Sequence, residues 1–204
     1  VSFFRSIVNK ETSDGFKAII NKFHKTDRIH NHTHPFAMFR ALNSKFHNPK
    51  NYVILDINGE ITEMTLIKDE HFKKVITIPY GAHSFVRRLA EEMKTDFKTS
   101  FIKLKSVLQD EKESKKKTQH QHFIQQVKTD WIEAIRKVIT DEKIELVPHN
   151  IFISGDEEIK EIVINLLNDV EVYAGALKIG RKPQIQFIAS NLMKDFCSYK
   201  NGLM

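Results

Sequence analysis

Three apolar runs follow one another between Tyr52 and Pro79, at about Tyr52–Ile57, Ile61–Lys68 and Phe72–Pro79, each closed by a short polar stretch. Runs of this length, rich in β-branched residues and bounded by Asn, Gly and Asp, predict β-strands. In the second run Ile61, Glu63, Thr65 and Ile67 share one face, and Thr62, Met64 and Leu66 the other, which is the two-residue period of a strand. Asn58-Gly59 and Asp69-Glu70 supply the turns, and an Asn-Gly pair is the strongest short-range hairpin signal. The segment therefore predicts an antiparallel meander of three strands.

The flanks change period. Phe16, Ile19, Ile20 and Phe23 recur at helical spacing and predict a helix over Asp14–His24, capped by Ser13 or Asp14. Arg28–His34 reads as a short strand, and Phe36–Phe46 as a helix with Phe36, Phe39, Arg40, Leu42 and Phe46 on its buried side. Asn48-Pro49-Lys50-Asn51 is a loop. After the meander, helices are expected over Ser84–Met93 and Phe97–Leu108. A longer one is expected over Gln121–Thr140, with Ile124, Val127, Trp131, Ile135 and Val138 as its apolar stripe. Between them Asp110–Thr118 is a charged insert, poor in apolar residues, read as a mobile stretch or an exposed helix turn. Ile151–Ser154 predicts a buried strand, Glu157–Leu167 a helix with acidic residues in its first turn, and Val170–Tyr173 a last core strand. Gln184–Tyr199 predicts a terminal helix that aligns Ile188, Leu192 and Phe196 and docks on the domain. The expected organisation is an end of a first lobe with linking helices over 1–50, a second lobe over 51–175 and a C-terminal tail over 176–204.

Composition narrows the class. The 204 residues include 15 Phe and are 41% hydrophobic and 28% charged, values of a soluble globular protein with ample core material. A single cysteine, Cys197, excludes an internal disulfide framework and suits a reducing cytoplasm. No apolar run is long enough to span a bilayer. The net charge of +6 is concentrated near Lys112–Lys117 and Lys178–Lys182. No nucleic-acid motif and no interleaved aromatic stripe accompanies those lysines, so a solvated surface explains them better than nucleic acid does.

Candidate chemistry lies first at the meander's opening turn. Gly59 lets backbone approach an anion, turn N–H groups can point at phosphate oxygens, and Asp56 at the strand end can hold a hydrated Mg²⁺. An ordinary hairpin accounts for the same residues. His30, His32 and His34 would project to one side of a strand and suggest a zinc ligand set, against the plainer reading of a polar strand edge. Cys197 sits in no nucleophile motif, and there is no Gly-x-Ser-x-Gly, P-loop or Rossmann glycine fingerprint.

Asp56-Ile57-Asn58-Gly59-Glu60-Ile61-Thr62, followed by Thr77-Ile78-Pro79-Tyr80-Gly81-Ala82-His83-Ser84 and the helix opening at Phe85, resembles the second phosphate loop and the glycine turn after it in bacterial actin-like ATPases of the cell-division (FtsA) and pilus-assembly (PilM) types. His34–Phe39 resembles the helix before that loop, and Ile151-Phe152-Ile153-Ser154-Gly155-Asp156 the strand and loop that touch adenosine. The resemblance implies an α/β, actin-like (ribonuclease-H-like) lobe with a mixed sheet and packed helices. It implies ATP and Mg²⁺ as cofactors. Asp56 would hold the metal through water, the backbone around Asn58, Gly59 and Glu60 with Thr62 would meet the β- and γ-phosphates, and Ser154, Gly155 and Asp156 would lie at adenosine. Glu60 could orient water. It further implies, at most, slow ATP turnover that serves assembly, protein partners of a filament or membrane-associated complex, the option of homo-oligomers, and a cytoplasmic place at or near the inner membrane.

The chain also departs from the family. Asn58 stands where glycine is usual, Ile61 where a hydroxyl residue is usual, and Gly155 is followed by Asp156-Glu157-Glu158 in place of a second glycine. Three carboxylates repel a triphosphate unless a metal intervenes. The family's first phosphate loop has no counterpart here, so the resemblance implies the C-terminal part of a longer protein. Two functions stay open: a nucleotide-binding assembly protein, and a scaffold that keeps the fold without nucleotide.

Overall fold

A computed structural model describes residues 7–23, 32–47, 49–102 and 114–188. The described elements are helix α1 (Lys10–Phe23), helix α2 (His34–Lys45), strands β1 (Tyr52–Ile57), β2 (Thr62–Lys68) and β3 (His71–Ile78), and helix α3 (Ala82–Met93). Helix α4 begins at 97 and is described to 102. There follow the long helix α5 (Ser114–Asp141), strand β4 (Asn150–Gly155), a 3₁₀ turn (Glu157–Ile159), helix α6 (Lys160–Asn168), a π-helical turn (Glu171–Ala176) and strand β5 (Gln184–Phe187).

The strands form one mixed sheet in the order β3-β2-β1-β4-β5. The first three make the expected antiparallel meander, with Asp56 opposite Glu63 and Thr62 opposite Ile78. β4 and β5 run parallel to β1, which brings Asp56 opposite Ser154 and Ile57 opposite Gly155. All six β1 residues are buried, as befits a central strand covered on both faces. Alternation sorts its side chains. Val53, Leu55 and Ile57 enter a large cluster with Phe85, Val86 and Leu89 of α3 and with Val127, Trp131, Ile135 and Ile139 of α5. Tyr52 and Ile54 point the other way and meet Met38, Ala41 and Leu42 of α2, with Ile67 and Phe152. Asp56 shares the parity of Tyr52 and Ile54, so it emerges on the α2 side, at the end of the sheet where α2 begins.

Four sequence expectations change. α5 starts at Ser114, so part of the charged insert is helical. Val170–Tyr173 is not a strand: Asp169 starts a helical turn instead, its carbonyl accepting from the N–H groups of Val172 (3.1 Å) and Tyr173 (3.0 Å) and its carboxylate from the Glu171 N–H (2.9 Å). Lys128 of α5 pairs with both Asp169 (2.8 Å) and Glu171 (2.6 Å), and this tertiary anchor overrides the β-propensity of Val-Glu-Val-Tyr. Gln184–Phe187 is a strand where a helix was expected. The open side of β4 offers a hydrogen-bonding partner, and Gln184 N–H donates to the His149 carbonyl at 2.8 Å and Ile188 N–H to that of Ile153 at 2.7 Å. The rest of that expected helix, Cys197 included, lies outside the described residues. Finally, α1 begins at Lys10, ahead of the expected cap at Ser13 or Asp14, and its apolar stripe is not buried: Phe16, Ile19 and Phe23 are exposed.

Candidate functional site

The C-terminal ends of β1 and β4 and the N-terminus of α2 converge on the Asp56 carboxylate. Asp56 is only 7% exposed. His34 Nδ1 donates to its Oδ2 at 3.0 Å, and the Asn58 amide donates to the same oxygen at 3.1 Å. The Ser154 hydroxyl is a third donor. Burial pushes this carboxyl up, but the bond from His34 and those from Ser154 and Asn58 outweigh it and hold Asp56 below the usual carboxylate range. The same bond raises His34 above the usual imidazole value against the opposing effect of burial. The His34 ring thus occupies one side of the Asp56 carboxylate.

The predicted strand around the three histidines does not extend to His34. That residue opens α2, with Pro35 in the first helical turn and Thr33 extended before it. His32 lies against Phe36, ring centroids 5.3 Å apart, and His30 lies outside the described residues. Among the described residues no group of three His, Cys, Asp or Glu side chains is arranged to hold a metal.

The Asn58-Gly59 turn also differs from the left-handed hairpin turn that the pair predicts. Neither residue has a positive φ. The connection runs from 58 to 61, closed by Asn58 N–H on the Ile61 carbonyl at 2.9 Å. The reason lies in α3. Its first N–H groups, orphaned at a helix start, donate to the turn: Ala82 to the Asn58 carbonyl at 2.8 Å and His83 to the Gly59 carbonyl at 2.7 Å. Gly81 makes this approach feasible, since a Cβ there would lie 2.5 Å from the Asn58 oxygen. The amides of a helix start are otherwise ready anion ligands; here the turn has taken two of them. Gly59 makes room as well, but for a side chain: a Cβ on it would meet the His83 ring at 2.8 Å.

Glu60 turns away from Asp56 toward α3. Arg87 grips both its oxygens, at 3.1 and 2.8 Å, and His83 Nδ1 lies 3.1 Å from one of them. These bonds hold the carboxyl down to about 2, with Arg87 the larger cause. Thr62 is fully buried and its hydroxyl donates to the Tyr80 carbonyl at 2.7 Å, so it offers nothing to a ligand at the turn. Gly155, at φ 158°, passes close to Ile57, with 3.0 Å from its absent Cβ to that carbonyl. Asp156 is exposed and leads into the 3₁₀ turn, and Glu157 pairs with Lys160 at 3.4 Å.

The fold therefore gathers Asp56, Asn58, Ser154 and Gly155, whereas Glu60 and Thr62 are engaged on the α3 side and Asp156 faces solvent. His34, His83 and Arg87 complete the site and were not singled out for it from sequence. The spacing of His83 and Arg87, four apart at the start of a helix, is the only local signal for two of them. A hydrated Mg²⁺ needs an open carboxylate, and Asp56 is 7% exposed and bonded by His34, Asn58 and Ser154. The residues do not fit the metal as they stand.

No protein-family model matches the sequence, and no curated protein does. Among solved structures the chain is similar to PilM of a PilM-PilN type IV pilus biogenesis complex, with 15% identity over 82% of this chain and 48% of that one, at a TM-score of 0.54. The lobe has the actin-like fold. A weaker likeness, TM-score 0.48 and 16% identity, is to the ethanolamine utilization protein EutJ of Carboxydothermus hydrogenoformans, covering 75% of this chain and 47% of that one. The chain thus spans about half the length of either structure. Among the described residues of this actin-like lobe, no helix is long and apolar enough to cross a membrane.

Proposed function

We propose that this actin-like lobe belongs to an assembly protein that works by binding protein partners, with its phosphate turn closed by its own side chains. The observation that carries this is the Asp56 carboxylate, held by His34 at 3.0 Å and by Asn58 and Ser154. The His83 ring in the Gly59 notch and the two α3 amides bound to the turn support the same reading. So does the setting of PilM, a protein of like fold, in a complex with PilN. Assembly at a pilus-type or division-type complex on the cytoplasmic side of the membrane is the role that fits the resemblance.

A second reading keeps ATP. Its support is the register that sets Asp56 beside Ser154 and Ile57 beside Gly155 at the ends of two parallel strands, where open α/β sheets bind ligands. In that reading Asp56 would hold Mg²⁺, the Gly59 and Glu60 backbone the phosphates, and turnover would be slow. Calorimetry of Mg²⁺-ATP with the intact protein separates the two. No binding at millimolar nucleotide by folded protein is expected, and Asp56→Ala should retain partner binding. Sub-millimolar Mg²⁺-ATP binding that Asp56→Ala abolishes would overturn the closed-turn reading.

A further inference from the structure

Three donors hold the Asp56 carboxylate, and they differ in what they could share it with. Asn58 and Ser154 belong to the strands that carry the site: Asn58 lies two residues beyond Asp56, and Ser154 is its register partner on β4. A serine hydroxyl and an asparagine amide each carry an oxygen that can itself ligate a hard cation. His34 differs. A carboxylate only accepts, so the Nδ1 that lies 3.0 Å from Oδ2 carries the proton and has no lone pair to offer. Of the three, His34 alone is incompatible with a cation on that oxygen.

The imidazole also comes from outside the sheet. It opens α2, and its side chain is 49% exposed where that of Asp56 is 11%. The helix does not depend on it, because Pro35, Met38, Ala41 and Leu42 are buried and seat α2 on the strands. The cover over Asp56 is thus one side chain on an element that is anchored elsewhere.

Beneath that cover the sheet carries a second acid. Glu63 is directly opposite Asp56 in the β1–β2 ladder, so the two share a face, and like charges directly opposite are unfavourable. Glu63 forms no hydrogen bond or ion pair among the described residues. Its charge and that of Asp56 both act on the His34 ring. Without the ring, two carboxylates would face the start of α2 with the Ser154 hydroxyl and the Asn58 amide beside them.

We propose that His34 is an autoinhibitory contact: its imidazole, and not a loss of the ligands beneath it, is what keeps a divalent cation off Asp56. This deepens the closed-turn reading and rests on it. The turn's other closures, the α3 amides on its carbonyls and the His83 ring in the Gly59 notch, bear on a phosphate and not on the carboxylate. The cation alone is therefore the probe.

Electron paramagnetic resonance of Mn²⁺ with the intact protein, without nucleotide, tests this. The parent is expected to leave millimolar Mn²⁺ free. His34→Ala should bind it about tenfold or more tightly than the parent and should gain thermal stability with added Mg²⁺. His34→Ser, a residue suited to a helix start and too short to reach Asp56, serves where the alanine variant does not fold. Asp56→Asn in the same background should abolish both effects. A folded His34 variant that binds Mn²⁺ no more tightly than the parent overturns the proposal and leaves the closed turn standing, held by Asn58 and Ser154. A gain that survives Asp56→Asn puts the cation elsewhere and also overturns it. Mn²⁺ taken equally by parent and variant through Asp56 overturns the closed turn itself, and the proposal with it.

Discussion

Gly81 and Gly59 are both small for a reason of contact, and the contacts differ in how far they can yield. A Cβ on Gly81 would strike backbone, at 2.5 Å from the Asn58 oxygen and 2.6 Å from that of Gly59. A Cβ on Gly59 would strike the half-exposed His83 imidazole, a side chain and not backbone. Gly81→Ala should therefore destabilise the protein by about 3 kcal/mol and Gly59→Ala by about 1 kcal/mol, measured by urea unfolding. Equal effects would mean that the turn and α3 are not packed as described. Glu60 gives a pH signature. Its carboxyl lies below its ordinary value, so the contact with Arg87 and His83 is complete above about pH 4.5 and is lost as pH falls through about 2. Carbon-detected NMR of the Glu60 carboxyl should show that low midpoint, and Arg87→Ala should move it upward. At this scale the sequence drew attention to Asp56 through the resemblance of its turn to a phosphate loop, since a carboxylate at a strand end is by itself equally an ordinary hairpin residue. It did not pair His34 with Asp56, which is 22 residues away and reached only once α2 lies on the sheet.

Among the elements, the meander was the most legible, with boundaries within one or two residues of those expected. Alternation is a local property, and each strand carries its own. Both turns lie where the sequence puts them, but their conformations differ. The left-handed pair sits at Asp69 (φ 54°) and Glu70 (φ 64°), between β2 and β3, and not at Asn58-Gly59. Two successive left-handed residues make the turn type that suits a two-residue hairpin, and non-glycine residues there carry a steric cost. Glu70→Gly should relieve part of it and raise stability by about 1 kcal/mol in thermal or urea unfolding. A neutral or destabilising result would show that Glu70 is held by more than its backbone. Asn-Gly located the hairpin between β1 and β2 but not its geometry, because α3 docks on that connection and takes its carbonyls, which no window of a few residues can reveal. β5 failed for a related reason: Gln-Ile-Gln-Phe after Pro183 suits a helix start or a short strand equally, and the open side of β4 decides.

Over the whole molecule, the sequence by itself determined the class of fold. Its apolar periods specify strands and helices in the order of an actin-like lobe, and its apolar content is sufficient to cover a sheet on both faces. It also placed the candidate chemistry at the ends of β1 and β4, because those runs end in Asp56 and in Ser154-Gly155. Tertiary structure alone decided what that chemistry can do. Only the packing of α2 on one face brings His34 onto Asp56, and only the docking of α3 ties the turn's carbonyls and fills the Gly59 notch. Exposure was likewise a tertiary outcome. The stripe of α1 and the row of Phe97, Phe101 and Ile102 have the composition of core, and among the described residues neither is covered. Period and composition are set by neighbours along the chain, whereas burial and the state of a carboxylate are set by groups that only folding brings within a few ångströms.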